Sequence, residues 1–92
     1  MAKVLVTAQV KDLVKWEEAF RTHGDLFKSY TITKPVSFGT TESNQVAVCF
    51  EPEDLAVCMS IINSQATAEA MELDGVMRET VKVFVLDKQA QV

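Results

Sequence analysis

His23 is the only histidine of the chain, and its side chain is the one best suited to proton transfer near neutral pH. A single imidazole beside a pocket could act as a general base or as a haem ligand. No second histidine exists to complete a metal site, and no carboxylate stands at a fixed spacing from His23. His23 is therefore a candidate catalytic residue, although the sequence favours a half-buried histidine that is hydrogen-bonded near a helix bend.

Five further residues form a candidate ligand-binding set. Thr7, Gln9, Ser37, Cys49 and Phe84 are predicted to lie on one face of a β-sheet, by the strand patterns given below. Neutral hydrogen-bonding groups placed among apolar ones suit a small organic molecule, so these residues are the predicted ligand contacts. The alternative is a filled, partly polar interface with ordered water.

Trp16 and an acidic cluster each allow a chemical and a structural interpretation. Trp16 could stack on a substrate, but its place on an apolar helical stripe favours an anchor that packs the helix on the sheet. Glu51, Glu53 and Asp54 could hold a divalent cation, but a solvated turn and a helix N-terminus explain them more simply. Three glycines are too few for a phosphate-binding loop. We expect neither a metal ion nor a cofactor.

Length and charge restrict the possible partners. The chain has 92 residues, which is enough for one domain, and its formal net charge is −4. Its nine Lys and Arg residues are scattered singly, so there is no basic stripe for nucleic acid or for an anionic membrane surface. Cys49 and Cys58 match neither a CxxC motif nor a zinc site and are interpreted as free thiols. With no signal-peptide pattern and no long apolar stretch, the cytoplasm is the expected location.

Periodicity predicts the elements that position these residues. Residues 3–10 alternate and are rich in β-branched types, which indicates a strand. Asp12 is a suitable N-cap for a helix that can bend or break at Gly24. The apolar stripe of this helix consists of Leu13, Trp16, Phe20, His23, Phe27 and Tyr30.

The rest of the chain is predicted to form three more strands and a second helical region. Strands are predicted at residues 31–40 and 45–51, joined by a short polar turn, and a last strand at residues 80–86. A helix begins near Pro52, and Ser64 caps its continuation, which Gly75 closes. Residues 1–87 then form a single domain and residues 88–92 a polar tail.

The predicted order is strand, helix, strand, strand, helix, strand, which is the ferredoxin-like α+β arrangement. Right-handed crossovers put both helices on one face of a four-stranded antiparallel sheet. The first and third strands are then central, and the second and fourth lie at the edges. Pro35 fits an edge strand because proline cannot donate a hydrogen bond to a neighbouring strand.

The other face of this sheet is predicted to carry few charges. Leu5, Phe84 and Leu86 would together expose an apolar patch that soluble monomers usually avoid. A second copy of the sheet pressed against this face would cover the patch, so the sequence predicts a homodimer. The alternatives are a monomer with a modestly apolar open face and a subunit that binds another protein through a helix.

Three segments resemble the dimeric α+β barrel superfamily, which includes the antibiotic-biosynthesis monooxygenases and the stress-responsive barrel proteins. The segments are KVLVTAQVKDLVKWEEAF, NQVAVCFEPEDLAVCM and AEAMELDGV. The residues that carry the resemblance are Val10, Asp12, Trp16, Met71, Gly75 and Val76. The chain is most similar to the short stand-alone members of the superfamily that have no assigned role. The resemblance implies two sheets facing each other across a dimer, with the helices outside.

The resemblance implies no single activity, because the superfamily spans oxygenases, haem enzymes and ligand-sensing domains. The expected function is that of a small dimeric barrel protein that binds a small apolar molecule, either between the sheets or between sheet and helices. The alternative is a cofactor-independent monooxygenase or isomerase acting on an aromatic or polyketide-like substrate.

Overall fold

The computed structural model, which describes residues 2–91, contains one four-stranded sheet with helices packed on one face. The elements in chain order are β1 (Lys3–Val10), α1 (Leu13–Phe20), α2 (Gly24–Ser29), β2 (Ser37–Thr40), β3 (Gln45–Phe50), α3 (Leu55–Ile62), α4 (Gln65–Leu73) and β4 (Val76–Leu86). The strands are antiparallel in the order β2-β3-β1-β4. The predicted ferredoxin-like α+β fold is therefore confirmed, with the first and third strands in the centre.

The first helical region divides into α1 and α2 close to Gly24, as its low helix propensity suggests. The carboxylate of Asp12 caps α1 by accepting hydrogen bonds from the backbone N–H groups of Val14 and Lys15. His23 lies in the short connection between the two helices. The break therefore places the only imidazole where a helix ends rather than in the middle of a helical face.

The second helical region also divides in two. The side chain of Asp54 caps α3 by accepting from the backbone of Val57, and Ser64 caps α4 by accepting from the backbone of Thr67. Gly75 follows α4 with a φ of 77°, a left-handed conformation that glycine adopts without steric cost. These caps are local features, and the sequence predicted the role of Ser64 and Gly75 correctly.

The predicted start of the second strand is wrong. β2 begins at Ser37, because the segment before it is not extended throughout: Thr31 has a φ of 64°, and Ile32 forms only an isolated bridge to Pro52. Pro35 lies two residues before the edge strand instead of within it. It therefore gives no support for the sheet order, which rests on the strand pairings themselves.

The predicted start of the last strand is also wrong, because a β-bulge interrupts its alternation. β4 begins at Val76, and residues 78–81 lie opposite the single residue Ala8. The Thr80 hydroxyl accepts a hydrogen bond of 2.8 Å from the backbone N–H of Gln9 and donates one of 2.6 Å to the carbonyl of Met77. A side chain thus replaces the backbone bond that the bulge removes.

The core lies between the sheet and the helices. Among the described side chains, Val4, Val10 and Cys58 are fully buried, and Trp16 is 3% exposed. No helix within residues 2–91 combines the length and the apolar character needed to cross a lipid bilayer.

Candidate functional site

A cavity of about 100 Å³ separates part of the sheet from the helices. Its sheet wall includes Val6, Val46, Val48 and Val81, which come from three of the four strands. Val81 ends the bulged part of β4, so the irregular strand contributes directly to this wall. For comparison, an apolar cavity of about 150 Å³ holds one benzene molecule. The volume therefore matches a molecule of about one small ring.

The helix wall of the cavity is aromatic. Trp16 stacks on Phe20 with ring centroids 4.8 Å apart, and Phe20 lies 5.1 Å from Phe27. The ring centroid of Phe27 in turn lies 6.4 Å from that of Tyr30. These rings form a connected wall, since each spacing falls in the range of favourable aromatic pairs. A flat apolar molecule could lie between this wall and the valines.

His23 and Asp74 form one of the two polar pairs in the lining. The Nε2 atom of His23 lies 2.6 Å from the Oδ2 atom of Asp74, and the side chains are 25% and 13% exposed. A carboxylate bound to one ring nitrogen fixes the orientation of an imidazole and leaves the other nitrogen for a substrate. The pair therefore has the geometry of an oriented general base at the edge of the cavity.

Tyr30 and Thr67 form the second polar pair. Their hydroxyl oxygens lie 2.7 Å apart, and both residues are buried. The Thr67 hydroxyl donates to the carbonyl of Ile61 at 2.7 Å, so the proton between the two hydroxyls comes from Tyr30. Burial raises the pKa of Tyr30, and the hydrogen bond to Thr67 opposes this shift less strongly. Tyr30 thus stays a neutral phenol at physiological pH.

None of the five ligand contacts predicted from the sequence lines this cavity. The strand register places Ser37 opposite Cys49, Cys49 opposite Leu5, and Leu5 opposite Phe84, which is one row across the other face of the sheet. Thr7 and Gln9 follow Leu5 at alternate positions of β1, so all five predicted contacts share that face.

On that face, Thr7 and Gln9 line a groove near the turn that joins β2 to β3. Ser37, Cys49 and Phe84 are not part of the groove. The strand register therefore unites the predicted set on one face, while its binding role stays a prediction. Trp16 packs as the sequence indicated, but it also lines the cavity.

The acidic cluster is engaged in structural contacts. Glu51 pairs with the Nζ atom of Lys34 at 3.2 Å, and Glu53 accepts a 2.7 Å hydrogen bond from the hydroxyl of Thr33. Asp54 caps α3. Within residues 2–91, no group of three or more His, Cys, Asp or Glu side chains is arranged to hold a metal ion.

Comparisons with known proteins identify the fold. No family sequence model matches the chain, and no curated protein sequence matches it. The structure is similar to that of an antibiotic biosynthesis monooxygenase, with a TM-score of 0.68 and 13% identity over 98% of this chain and 100% of the other. A protein from Arabidopsis thaliana gives a TM-score of 0.67 and 16% identity over 100% and 99%.

A dimeric ferredoxin-like protein from an uncultured marine organism gives a TM-score of 0.59 and 10% identity over 99% of this chain and 90% of the other. At these identities the likeness establishes the fold and leaves the activity open. The resemblance seen in the sequence is confirmed at that level: the chain has the fold of the antibiotic biosynthesis monooxygenases and dimeric ferredoxin-like proteins.

Proposed function

We propose that the protein binds a small, largely apolar molecule in the cavity between the sheet and the helices. The observation that carries this proposal is the lining, in which an aromatic wall faces a valine wall and two polar pairs interrupt them. Small-molecule sites are typically concave and apolar, with a few placed polar groups that orient the ligand. Of the two places that the sequence allowed, this is the one that a single subunit forms by itself.

Filling the cavity from α4 tests this proposal. Ala70 lines the cavity, whereas Ala66 lies on the same helix and is exposed. We expect Ala70→Leu to weaken the binding of toluene or cyclohexanone at least tenfold, because the added carbons occupy the space. Ala66→Leu makes the same chemical change outside the cavity and should bind as wild type does.

Binding is measured by amide chemical-shift changes in ¹⁵N-labelled protein during titration with each probe. Overpacking at position 70 could disturb the fold, so Ala70→Val supplies a milder variant with an intermediate effect. Equal binding by wild type and both Ala70 variants would contradict the proposal, as would the absence of binding by any one-ring probe.

The contact of His23 with Asp74 supports a second candidate function, proton abstraction from a bound substrate by a cofactor-independent monooxygenase or isomerase. With Nε2–H donated to Asp74, the Nδ1 atom takes a proton from an acidic C–H bond, and the carboxylate stabilises the imidazolium that forms. The volume favours a one-ring substrate over a polyketide-like one of several rings.

Exchange of the α-hydrogens of cyclohexanone for deuterium, followed by proton NMR in D₂O, tests this second function. Wild type should accelerate exchange at least tenfold over His23→Gln, with Asp74→Asn between them. Equal rates for wild type and His23→Gln would remove the proposed base without affecting the binding proposal.

We propose in addition that the protein is a homodimer whose subunits meet through the sheet face opposite the helices. Phe84 and Leu86 are 46% and 44% exposed on β4, and the register places Leu5 beside Phe84. An apolar patch of this kind favours association. The likeness to a dimeric ferredoxin-like protein supports the same assembly.

A further inference from the structure

The indole nitrogen of Trp16 is the starting point, because it is a donor with no acceptor among residues 2–91. Trp16 is 3% exposed and packs within the hydrophobic core, where it stacks on Phe20 at 4.8 Å and meets the edge of Phe38 at 5.8 Å, but its indole makes no hydrogen bond to the described residues. A buried indole N–H usually has a hydrogen-bond partner, since leaving one unmade is unfavourable. The acceptor of this N–H group is therefore either water or a bound molecule that displaces it.

The position of Trp16 in the lining allows its N–H group to face the cavity. Across the described chain, every completely buried side-chain nitrogen or oxygen has a hydrogen-bond partner, so the unpaired Nε1 atom must retain accessible surface. Trp16 has almost no surface left to expose, and it lines the cavity between sheet and helices. A molecule in this cavity can consequently approach the N–H group.

The hydroxyl donors of the lining are already used. Tyr30 donates to Thr67, and Thr67 donates to the carbonyl of Ile61. Asp74 accepts from His23 and, as a carboxylate, donates nothing. The indole of Trp16 is thus the neutral donor that remains for an acceptor group of the ligand.

We propose that the ligand is a molecule of about one ring that carries a hydrogen-bond-accepting oxygen, such as a ketone, and that the Trp16 N–H donates to that oxygen. This inference rests on the proposed binding function and makes it specific. The aromatic wall holds the ring, the volume of about 100 Å³ sets its size, and the indole sets its orientation. Trp16 is then a binding residue as well as the anchor of α1.

The test compares cyclohexanone with methylenecyclohexane, which have nearly the same shape but differ in one C=O group. In wild type we expect cyclohexanone to bind more tightly than methylenecyclohexane, once each affinity is corrected for the partition of the probe between water and octanol. Trp16→Phe removes the donor and should reduce the ratio of the cyclohexanone affinity to the methylenecyclohexane affinity at least fivefold. Phe38→Leu alters a ring that packs against Trp16 but does not line the cavity, and its ratio should stay within twofold of wild type.

A direct readout is available because Trp16 is the sole tryptophan, so the ¹⁵N-labelled protein gives one indole N–H signal. Cyclohexanone should move its proton resonance downfield, whereas methylenecyclohexane should not. This readout uses the wild-type protein and is independent of how well Trp16→Phe folds. The two-ring analogue 2-decalone should bind at least tenfold more weakly than cyclohexanone.

The outcomes separate the two proposals. If both probes bind but the affinity ratio is unchanged in Trp16→Phe and the indole signal does not respond to cyclohexanone, the assignment of Trp16 is wrong and the binding function stands. If 2-decalone binds as well as cyclohexanone, the size limit is wrong. If neither one-ring probe binds, the binding function itself fails.

Discussion

The Nε2 atom of His23 lies 2.6 Å from the Oδ2 atom of Asp74, although 51 positions separate the two residues. His23 joins α1 to α2, and Asp74 follows α4, so this hydrogen bond connects the first helical region to the end of the second beside the cavity. Both side chains are mostly shielded from water. The contact is therefore screened less than an ion pair on the surface.

The first prediction concerns the strength of this contact. Asp74→Ala should lower the free energy of unfolding by about 1–2 kcal/mol, because a partly buried, charge-assisted hydrogen bond is lost. Glu17→Ala is the control, since it breaks the Arg21 pair, whose side chains are 64% and 43% exposed. That change should cost about 0.5 kcal/mol or less. Urea denaturation at pH 7 measures both, and equal losses would contradict the prediction.

The parts of the fold that could be predicted from the sequence depend on local signals. A cap acts on the three residues that follow it, and glycine acts on its own backbone, so Ser64 and Gly75 could be read without knowing the fold. The alternation of apolar residues in the strands and the apolar stripes of the helices then indicated the order of the elements. The order of the strands followed from the handedness of the crossovers.

The candidate site could not be predicted in the same way, because its contacts are distant in sequence. Tyr30 and Thr67 are 37 positions apart, and neither residue type signals a partnership. The strand errors have related causes. The β-branched residues around Thr31 suggest a strand, but the left-handed backbone of Thr31 prevents one. The bulge of β4 depends in part on β1, because the Thr80 hydroxyl accepts a hydrogen bond from the backbone of Gln9.

The second prediction is a loss of stability at alkaline pH. Burial raises the pKa of the Cys58 thiol and of the Tyr30 phenol above their ordinary values of 9.0 and 10.0. The folded chain therefore keeps these protons when the unfolded chain has released them. By linkage, the contribution of these two groups to the free energy of unfolding is fully present below about pH 9. It is lost as the pH rises through the pKa values of the folded state.

Urea denaturation from pH 8 to pH 11 checks this second prediction. Cys58→Ala should flatten the first part of the decline and Tyr30→Phe the later part, whatever their effects on stability at pH 8. The quantity to compare between variants is the slope of the free energy of unfolding against pH. A wild-type profile that is level up to pH 11 would contradict the prediction.

The third prediction concerns the turn that positions Asp74. Gly75 has a φ of 77°, and its carbonyl accepts a 3.0 Å hydrogen bond from the backbone of Lys11. An added Cβ would meet its nearest atom at 3.8 Å, so Gly75→Ala is costly through backbone conformation and not through a clash. We expect a loss of about 1 kcal/mol. Gly24→Ala, at a site without positive φ, should be neutral or stabilising in the same denaturation assay, and similar losses in both variants would contradict the explanation.

The fourth prediction tests the homodimer. At micromolar concentration, wild type should sediment at twice the 10.2 kDa of the chain, because association removes the exposed patch around Phe84 from water. Phe84→Glu places a charge in the proposed interface and should yield monomers that keep the wild-type circular dichroism spectrum. Val14→Glu adds the same charge at a side chain that is 68% exposed on α1, away from that face, and should remain dimeric. A wild-type protein that sediments as a monomer would show that this sheet face is open to water, and Thr7 and Gln9 would then lie on a solvent-exposed surface instead of between two sheets.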